Sequence, residues 1–408
     1  MPDPLDALRL ADEPVAPRPA FARGLVAKIR DELTSGSSVS SAFAAEGPSV
    51  NATAYDALDE ALEAVAGTGP EYDPFGTGFC LTNHVPMVAE ALCALGRPDA
   101  VRPWVNRYRK YLSDAPAPRG EIVGSQWREA LGHLDRVGDW VVFFETQLDD
   151  APWDEVINRW VPRLAPASYA AGTHGVLRVA HAVRGIGQQE TRLRRRELAE
   201  ALGYWAAAYE TLPEARGASA GLLASEAFPL VEQLELRDRR DWMLFTEPLA
   251  KATSMPSFIG VADLVDVHLD PSAFLADLTE AIAALLVTNA AEVRFSRGIV
   301  HAFTAGSATR MMLPYLTPES TARSLRYGWQ VAAAFYSGLI VAPAAVDVEA
   351  PAESIDELVD EAIACPDEHG IKITEACLRE YRINPKPVYL AAARACTRDL
   401  AETGLKLA

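Results

Sequence analysis

The chain has 408 residues, close to half of them apolar, enough to bury a substantial core in one large domain or two. Its 38 Lys and Arg stand against 56 Asp and Glu, a net charge of -18, which argues against nucleic acid or an anionic membrane as a principal partner. Five cysteines, Cys80, Cys93, Cys365, Cys377 and Cys396, form no CxxC pair, so reduced thiols in a cytoplasmic protein are expected rather than a disulfide framework or a zinc knuckle.

Residues 1–45 are rich in Pro, Ser and acidic side chains and read as a poorly structured N-terminal extension, interrupted by a short helix over Phe21–Leu33. Acidic and proline residues break the first 30 positions, leaving no apolar core of a signal peptide. From Ala54 onward the pattern is helical. Helices are expected at 57–65, around Val85, Val88, Ala89, Leu92 and Leu95, at 98–112, and around Val176, Val179, Ala180 and Val183. Further helices are expected at 198–210, 273–288, 321–340, 354–364, 368–381 and 386–402, bounded by Pro, Gly or Asp. The run Arg192, Arg194, Arg195, Arg196 reads as a solvated helix face. The stretch Gly328–Val346 reads as a buried core helix ending near Pro343, not as a membrane span. With strand alternation nearly absent, the fold class is mainly α: one large multi-helix domain over residues 46–408.

Local catalytic motifs are missing. Gly67-Thr68-Gly69, Gly76-Thr77-Gly78 and Gly185-Ile186-Gly187 lack the third glycine and the preceding strand of a dinucleotide fingerprint. No P-loop, G-x-S-x-G elbow or H-E-x-x-H helix occurs, so any site is assembled from distant segments.

Histidines are the main candidates. Asn83 and Pro86 place His84 at a helix entrance, with Asn83 as cap. Thr173 is a plausible cap for the helix carrying His174 and His181, which share a face two turns apart. His301 sits among small apolar residues, where a buried imidazole needs a metal or a hydrogen-bond partner such as Thr304 or a backbone carbonyl. His369 and Lys372, three apart, face the same way on a helix; Lys372 also has Glu368 and Glu375 within ion-pairing reach. His133 and His268 read as surface or loop positions, and His181 as either a packing residue or one that orients a ligand.

The segments Thr82-Asn83-His84-Val85-Pro86-Met87, Thr173-His174-Gly175, His301-Ala302-Phe303-Thr304-Ala305 with Leu313-Pro314 downstream, and Asp367-Glu368-His369-Gly370-Ile371-Lys372 together resemble the questin oxidase-like family. The resemblance spans roughly residues 55–400 and rests on the ordered set, since each motif alone is weak. It implies an oxygenase that opens a ring of a polycyclic aromatic, anthraquinone-like polyketide with O2. It further implies a non-haem Fe(II) site of four histidines and a carboxylated lysine, carried residue by residue onto His84, His174, His301, His369 and Lys372. His181 departs from the family pattern. The same resemblance allows an alternative, a Baeyer-Villiger-type monooxygenase with NADPH as co-substrate. A non-catalytic helical binding protein, with purely structural histidines, is the reading from another class.

Overall fold

The computed structural model describes residues 52–71, 82–214, 219–239, 246–268, 270–290 and 296–403, all within one compact unit, Val50–Ala408. The N-terminal extension, the helix over Phe21–Leu33 and Cys80 lie outside the described residues. The fold is mainly α. Its first helices are α1 (Asp56–Ala64), α2 (Val85–Ala94), α3 (Val101–Tyr108), α4 (Val137–Asp150), α5 (Trp153–Leu164), α6 (His174–Gln188) and α7 (Arg192–Ala207). After the single turn α8 (Ala224–Ala227) come α9 (Thr246–Thr253), α10 (Pro271–Asn289), α11 (Ser296–Met312) and α12 (Pro318–Leu339). The chain closes with α13 (Ile355–Ala364), α14 (His369–Ile383) and α15 (Pro387–Thr403). One antiparallel pair, β1 (Thr68–Glu71) with β2 (Leu112–Asp114), lies beside α3 in the chain.

Several boundaries follow from local capping. Thr191, Asp270, Thr317 and Ser354 each accept a backbone N–H in the first turn of α7, α10, α12 and α13, and Ser354 with Glu357 completes a capping box. Helix α12 ends at Leu339, short of Pro343, with Trp329, Val331 and Phe335 buried. The helix expected at 98–112 is α-helical over Val101–Tyr108 and is flanked by 3-10 turns at Pro98–Ala100 and Arg109–Tyr111, with Leu112 already in β2. Helices α4, α5, α9 and α11, and the single turn α8, have no expected counterpart. Helix α11 shows why: its small and apolar residues are buried on nearly every side, so no amphipathic stripe marks it.

The arginine run is corrected at one position. Arg192 and Arg196 are exposed, but Arg194 is buried, with its guanidinium on the Asp59 carboxylate and on the carbonyls of Tyr55, Gly185 and Gln189. A buried charge must be paired, and this one ties α7 to α1. Cys93, Cys365, Cys377 and Cys396 are buried free thiols. By length and composition α10 is apolar enough to cross a membrane, but Phe274, Leu275, Leu278, Ile282 and Leu286 on it are core residues.

Three apolar clusters make the core: one around α10, α11, α12 and α15, one around the tryptophans of α4, α5 and α7, and one around α1, α2 and α3. Between them four helices close a ring, α2 against α6, α6 against α11, α11 against α14, and α14 against α2.

Candidate metal centre

Each helix of that ring brings one histidine. His84 is the residue before α2, His174 and His369 are the first residues of α6 and α14, and His301 lies in the second turn of α11. Their imidazoles meet in the order of the helices: ring centroids are 4.9 Å apart for His84 and His174, 4.6 Å for His174 and His301, 5.0 Å for His301 and His369, and 5.8 Å for His369 and His84. All four are buried, as is Lys372 one turn beyond His369. The five residues named from the sequence are therefore brought to one region of the interior.

The Nδ1 atom of each ring has an oxygen partner. That of His84 faces Tyr108 Oη at 2.8 Å and the Glu71 carboxylate. Asp367 accepts from both the backbone N–H and Nδ1 of His369, at 3.0 and 2.7 Å, while Arg297 holds its other oxygen. His174 Nδ1 donates to the Ala171 carbonyl at 2.5 Å, and His301 Nδ1 meets Thr173 Oγ1 at 3.2 Å. These last two partners come from a backbone turn in which Ala171, Gly172 and Thr173 all have positive φ, 48°, 63° and 71°. Left-handed backbone costs about 1–2 kcal/mol for a side chain with a Cβ, and it is most unfavourable for a β-branched residue such as Thr173.

That turn changes two expectations. Thr173 does not cap α6 through its side chain; left-handed backbone turns its hydroxyl to His301 instead. Thr304 donates to the Val300 carbonyl of its own helix and leaves His301 to Thr173. Asn83 does serve the entrance of α2, accepting the Val85 N–H at 2.9 Å.

With the Nδ1 atoms anchored, the Nε2 atoms remain for the centre. Those of His301 and His369 are 3.1 Å apart. Those of His84 and His174, and Lys372 Nζ, are buried without a hydrogen-bond partner among the described residues. Ring nitrogens of His84, His174 and His369 lie within 4.8 Å of one another. Such orphaned buried atoms are costly unless something bonds them, and a metal ion that takes imidazole ligands fits the set. The carboxylate of Glu368 sits 3.7 Å from His84 Nδ1 and 3.3 Å from His369 Nδ1, on the outer side of both rings.

Burial is the largest electrostatic influence. It holds His84, His174 and His301 well below the usual imidazole range, with Lys372 and the neighbouring imidazoles adding to it, and lowers His369 as well. Neutral imidazoles are the form that ligates. Burial also lowers Lys372, against the pull of Glu368 and Asp367, and raises Glu71 to about 8. Helices α2, α6 and α14 all begin at the cluster, so three positive helix ends converge on it. They disfavour imidazolium and favour an anionic group there.

Lys372 forms neither of the ion pairs open to it in the sequence: Glu375 is taken by Arg184 and Arg379. His181 is buried with Nδ1 on Glu90 at 2.7 Å, while His133 and His268 are exposed. Glu71, Tyr108 and Arg297 went unnoticed in the sequence, since only long-range packing brings them to the histidines. Asp367 carried a local signal, lying two residues before His369 and able to bond that residue's N–H and ring together.

The questin oxidase-like family model matches residues 81–377, a span that holds all four clustered histidines and Lys372. No curated protein matches the chain. Matched over more than half its length, the chain belongs to the questin oxidase-like family.

Proposed function

We propose that the chain is an oxygenase of a polycyclic aromatic polyketide, opening a ring with O2 at a non-haem iron held by His84, His174, His301, His369 and a carboxylated Lys372. The observation that carries this reading is the set of four buried imidazoles, each with an oxygen partner at Nδ1, around Nε2 atoms of His84 and His174 and a Lys372 Nζ that have no hydrogen-bond partner among the described residues. Iron, when bound, supplies the one-electron chemistry that spin-paired organic rings and O2 lack between them.

The protein's own groups prepare the site. Asp367 and the Ala171 carbonyl fix which nitrogen of His369 and His174 bears the proton, leaving each Nε2 a lone pair. Lys372 Nζ, buried and short of partners, is biased toward the neutral amine. That amine attacks the carbon of CO2: a N–C bond forms as one C=O electron pair moves onto oxygen, and the amine proton passes to the neighbouring Glu368 carboxylate, whose proton affinity burial raises, giving a carbamate anion that the three helix N-termini favour. Buried Val85, Met87, Val88, Val300, Phe303 and Ile371 on the same helices exclude bulk water from the cluster.

The test is metal analysis of the purified chain together with O2 uptake on an anthraquinone-type substrate, with and without NADPH. Near-stoichiometric iron and NADPH-independent uptake are expected. Full activity in a metal-free preparation overturns the iron assignment, and strict dependence on NADPH overturns the dioxygenase in favour of a monooxygenase.

A further inference from the structure

The four helices that carry the histidines also carry a second polar layer. Glu90 lies six residues beyond His84 on α2, Ser307 six beyond His301 on α11, and Glu375 six beyond His369 on α14. On α6, His181 and Arg184 lie seven and ten beyond His174. Six residues of helix is about 9 Å along the axis. The second layer thus runs beneath the first, with at least one member on each of the four helices.

Its members are joined without a break. Arg184 forks onto both oxygens of Glu90, at 2.7 and 2.5 Å, and reaches Glu375 at 2.5 Å, so one guanidinium spans α2, α6 and α14. His181 and Tyr55 complete Glu90, each at 2.7 Å. From Glu375 the chain of contacts passes to Arg379 at 3.2 Å, and from Arg379 to the carbonyl and hydroxyl of Ser307 on α11, at 2.9 and 2.8 Å. Ser307 and Arg310 then close on Glu380. Glu90, His181, Ser307, Glu375 and Glu380 are each at most 5% exposed.

Stability alone is a poor explanation for so many buried charges, because well-packed apolar side chains of similar volume hold helices together as well or better. Fixed register is what a forked ion pair adds, since its geometry is directional and apolar side chains slide past one another more freely. Register is what the upper layer needs: convergent ligands must be placed within about 0.5 Å. We infer that the buried layer of Glu90, His181, Arg184, Glu375, Arg379 and Ser307 is a register lock that sets the four helices along their axes so that the imidazoles converge, with Arg184 as its central positioning residue. This also gives His181 its role: it orients Glu90 and does not join the imidazole cluster. The inference rests on the geometry of the cluster, and only its metal-binding arm depends on the proposed iron site.

The experiment compares the full chain with Arg184→Met, of similar length but without charge, and with Glu375→Gln, which keeps volume and leaves Arg184 on Glu90. Exposed Arg102→Met, which breaks only a surface pair with Glu60, is the control. Three quantities are read: the thermal melt, the imidazole nitrogen signals of the metal-free protein by 15N NMR, and Fe(II) affinity by competition with a chelator. Removing Arg184 leaves Glu90 and Glu375 short of a buried partner, so the melt falls; a register lock further predicts, in variants that still melt cooperatively, shifted signals for His84, His174, His301 and His369 and Fe(II) affinity at least tenfold weaker. Unshifted imidazole signals in folded Arg184→Met and Glu375→Gln overturn it. So does Fe(II) affinity within twofold of the parent. A parent chain that takes up no Fe(II) refutes the iron reading instead, and the imidazole signals then decide the lock by themselves.

Discussion

His301 and His369 face each other through their Nε2 atoms, 3.1 Å apart, although they lie 68 residues apart in the chain. Asp367 accepts a hydrogen bond from His369 Nδ1–H, so in the absence of a cation the proton between the two Nε2 atoms belongs to His301, and Thr173 donates its hydroxyl to His301 Nδ1. Were His301 Nε2 to ligate a cation, the ring proton would sit on Nδ1 and the Thr173 hydroxyl would accept its hydrogen bond. One hydroxyl serves both states.

Replacing either His301 or His369 by Ala removes one of two facing donors and leaves the other without its partner. Bound iron should fall from near-stoichiometric to background in either variant, while His133→Ala, at an exposed position, retains the parent content. Elemental analysis of the purified variants checks this. Unchanged iron in both His→Ala variants would remove these residues from the site.

Thr173→Val keeps the volume and branching of the side chain but not the hydroxyl that orients His301. Metal affinity is expected to drop about 10- to 100-fold, as for other outer partners of ligating histidines. Thr173→Ser should restore most of it. Chelator competition on the two variants provides the measurement, and equal affinities would show that the hydroxyl orients nothing.

Acid should unfold the metal-free protein in two stages. The buried histidines have folded pKa values below the ordinary 6.5, so the unfolded chain binds protons first as pH falls and stability declines below that value. Each contributes about 1.4 kcal/mol per pH unit until its folded pKa is reached. Glu90 follows: burial would raise it, but Arg184 and His181 hold it at about 2, so its contribution is lost as pH falls from 4.5 toward that value. Thermal melts between pH 7.5 and 3 test the order. A melt that is flat from pH 7 to 5.5 would contradict the neutral buried imidazoles.

Lys372→Met exchanges a buried amine without a partner for an apolar side chain of similar shape. The metal-free variant is expected to be as stable as the parent or more so, by about 1–3 kcal/mol. The parent exposed to 13C-labelled bicarbonate should give a carbamate carbon signal that the variant lacks. Identical carbon spectra for the two proteins would remove the carboxylated lysine from the proposal.

Gly175 follows His174, and a Cβ there would stand 2.5 Å from the Trp205 ring. Gly175→Ala therefore forces α6 away from α7, with a cost of about 1–3 kcal/mol. His174 moves with the helix, so weaker metal binding should accompany the lower melting temperature. A variant with the parent's melt would mean that Trp205 yields without disturbing α6.

The helical character and the entrance of α2 at Asn83 and Pro86 were legible in the sequence, because apolar periodicity and caps are local signals, whereas the set of five candidate residues came from the family resemblance. Helices α4, α5, α8, α9 and α11 were not legible. A helix such as α11, buried on nearly all sides, loses the stripe by which it would be recognised. The run at Arg192 to Arg196 shows the same limit from the polar side, since whether Arg194 meets water or Asp59 depends on where α1 packs.

The histidines divide along this line. The resemblance to the questin oxidase-like family singled out His84, His174, His301, His369 and Lys372, but their convergence exists only because α2, α6, α11 and α14 close a ring. The partners at Nδ1, the left-handed turn that turns Thr173 toward His301, and the salt-bridged layer that claims His181 join residues up to 191 positions apart. No periodicity along the chain encodes such pairings, because the energy that selects them, the cost of leaving a buried polar atom unbonded, is set only once the helices have packed.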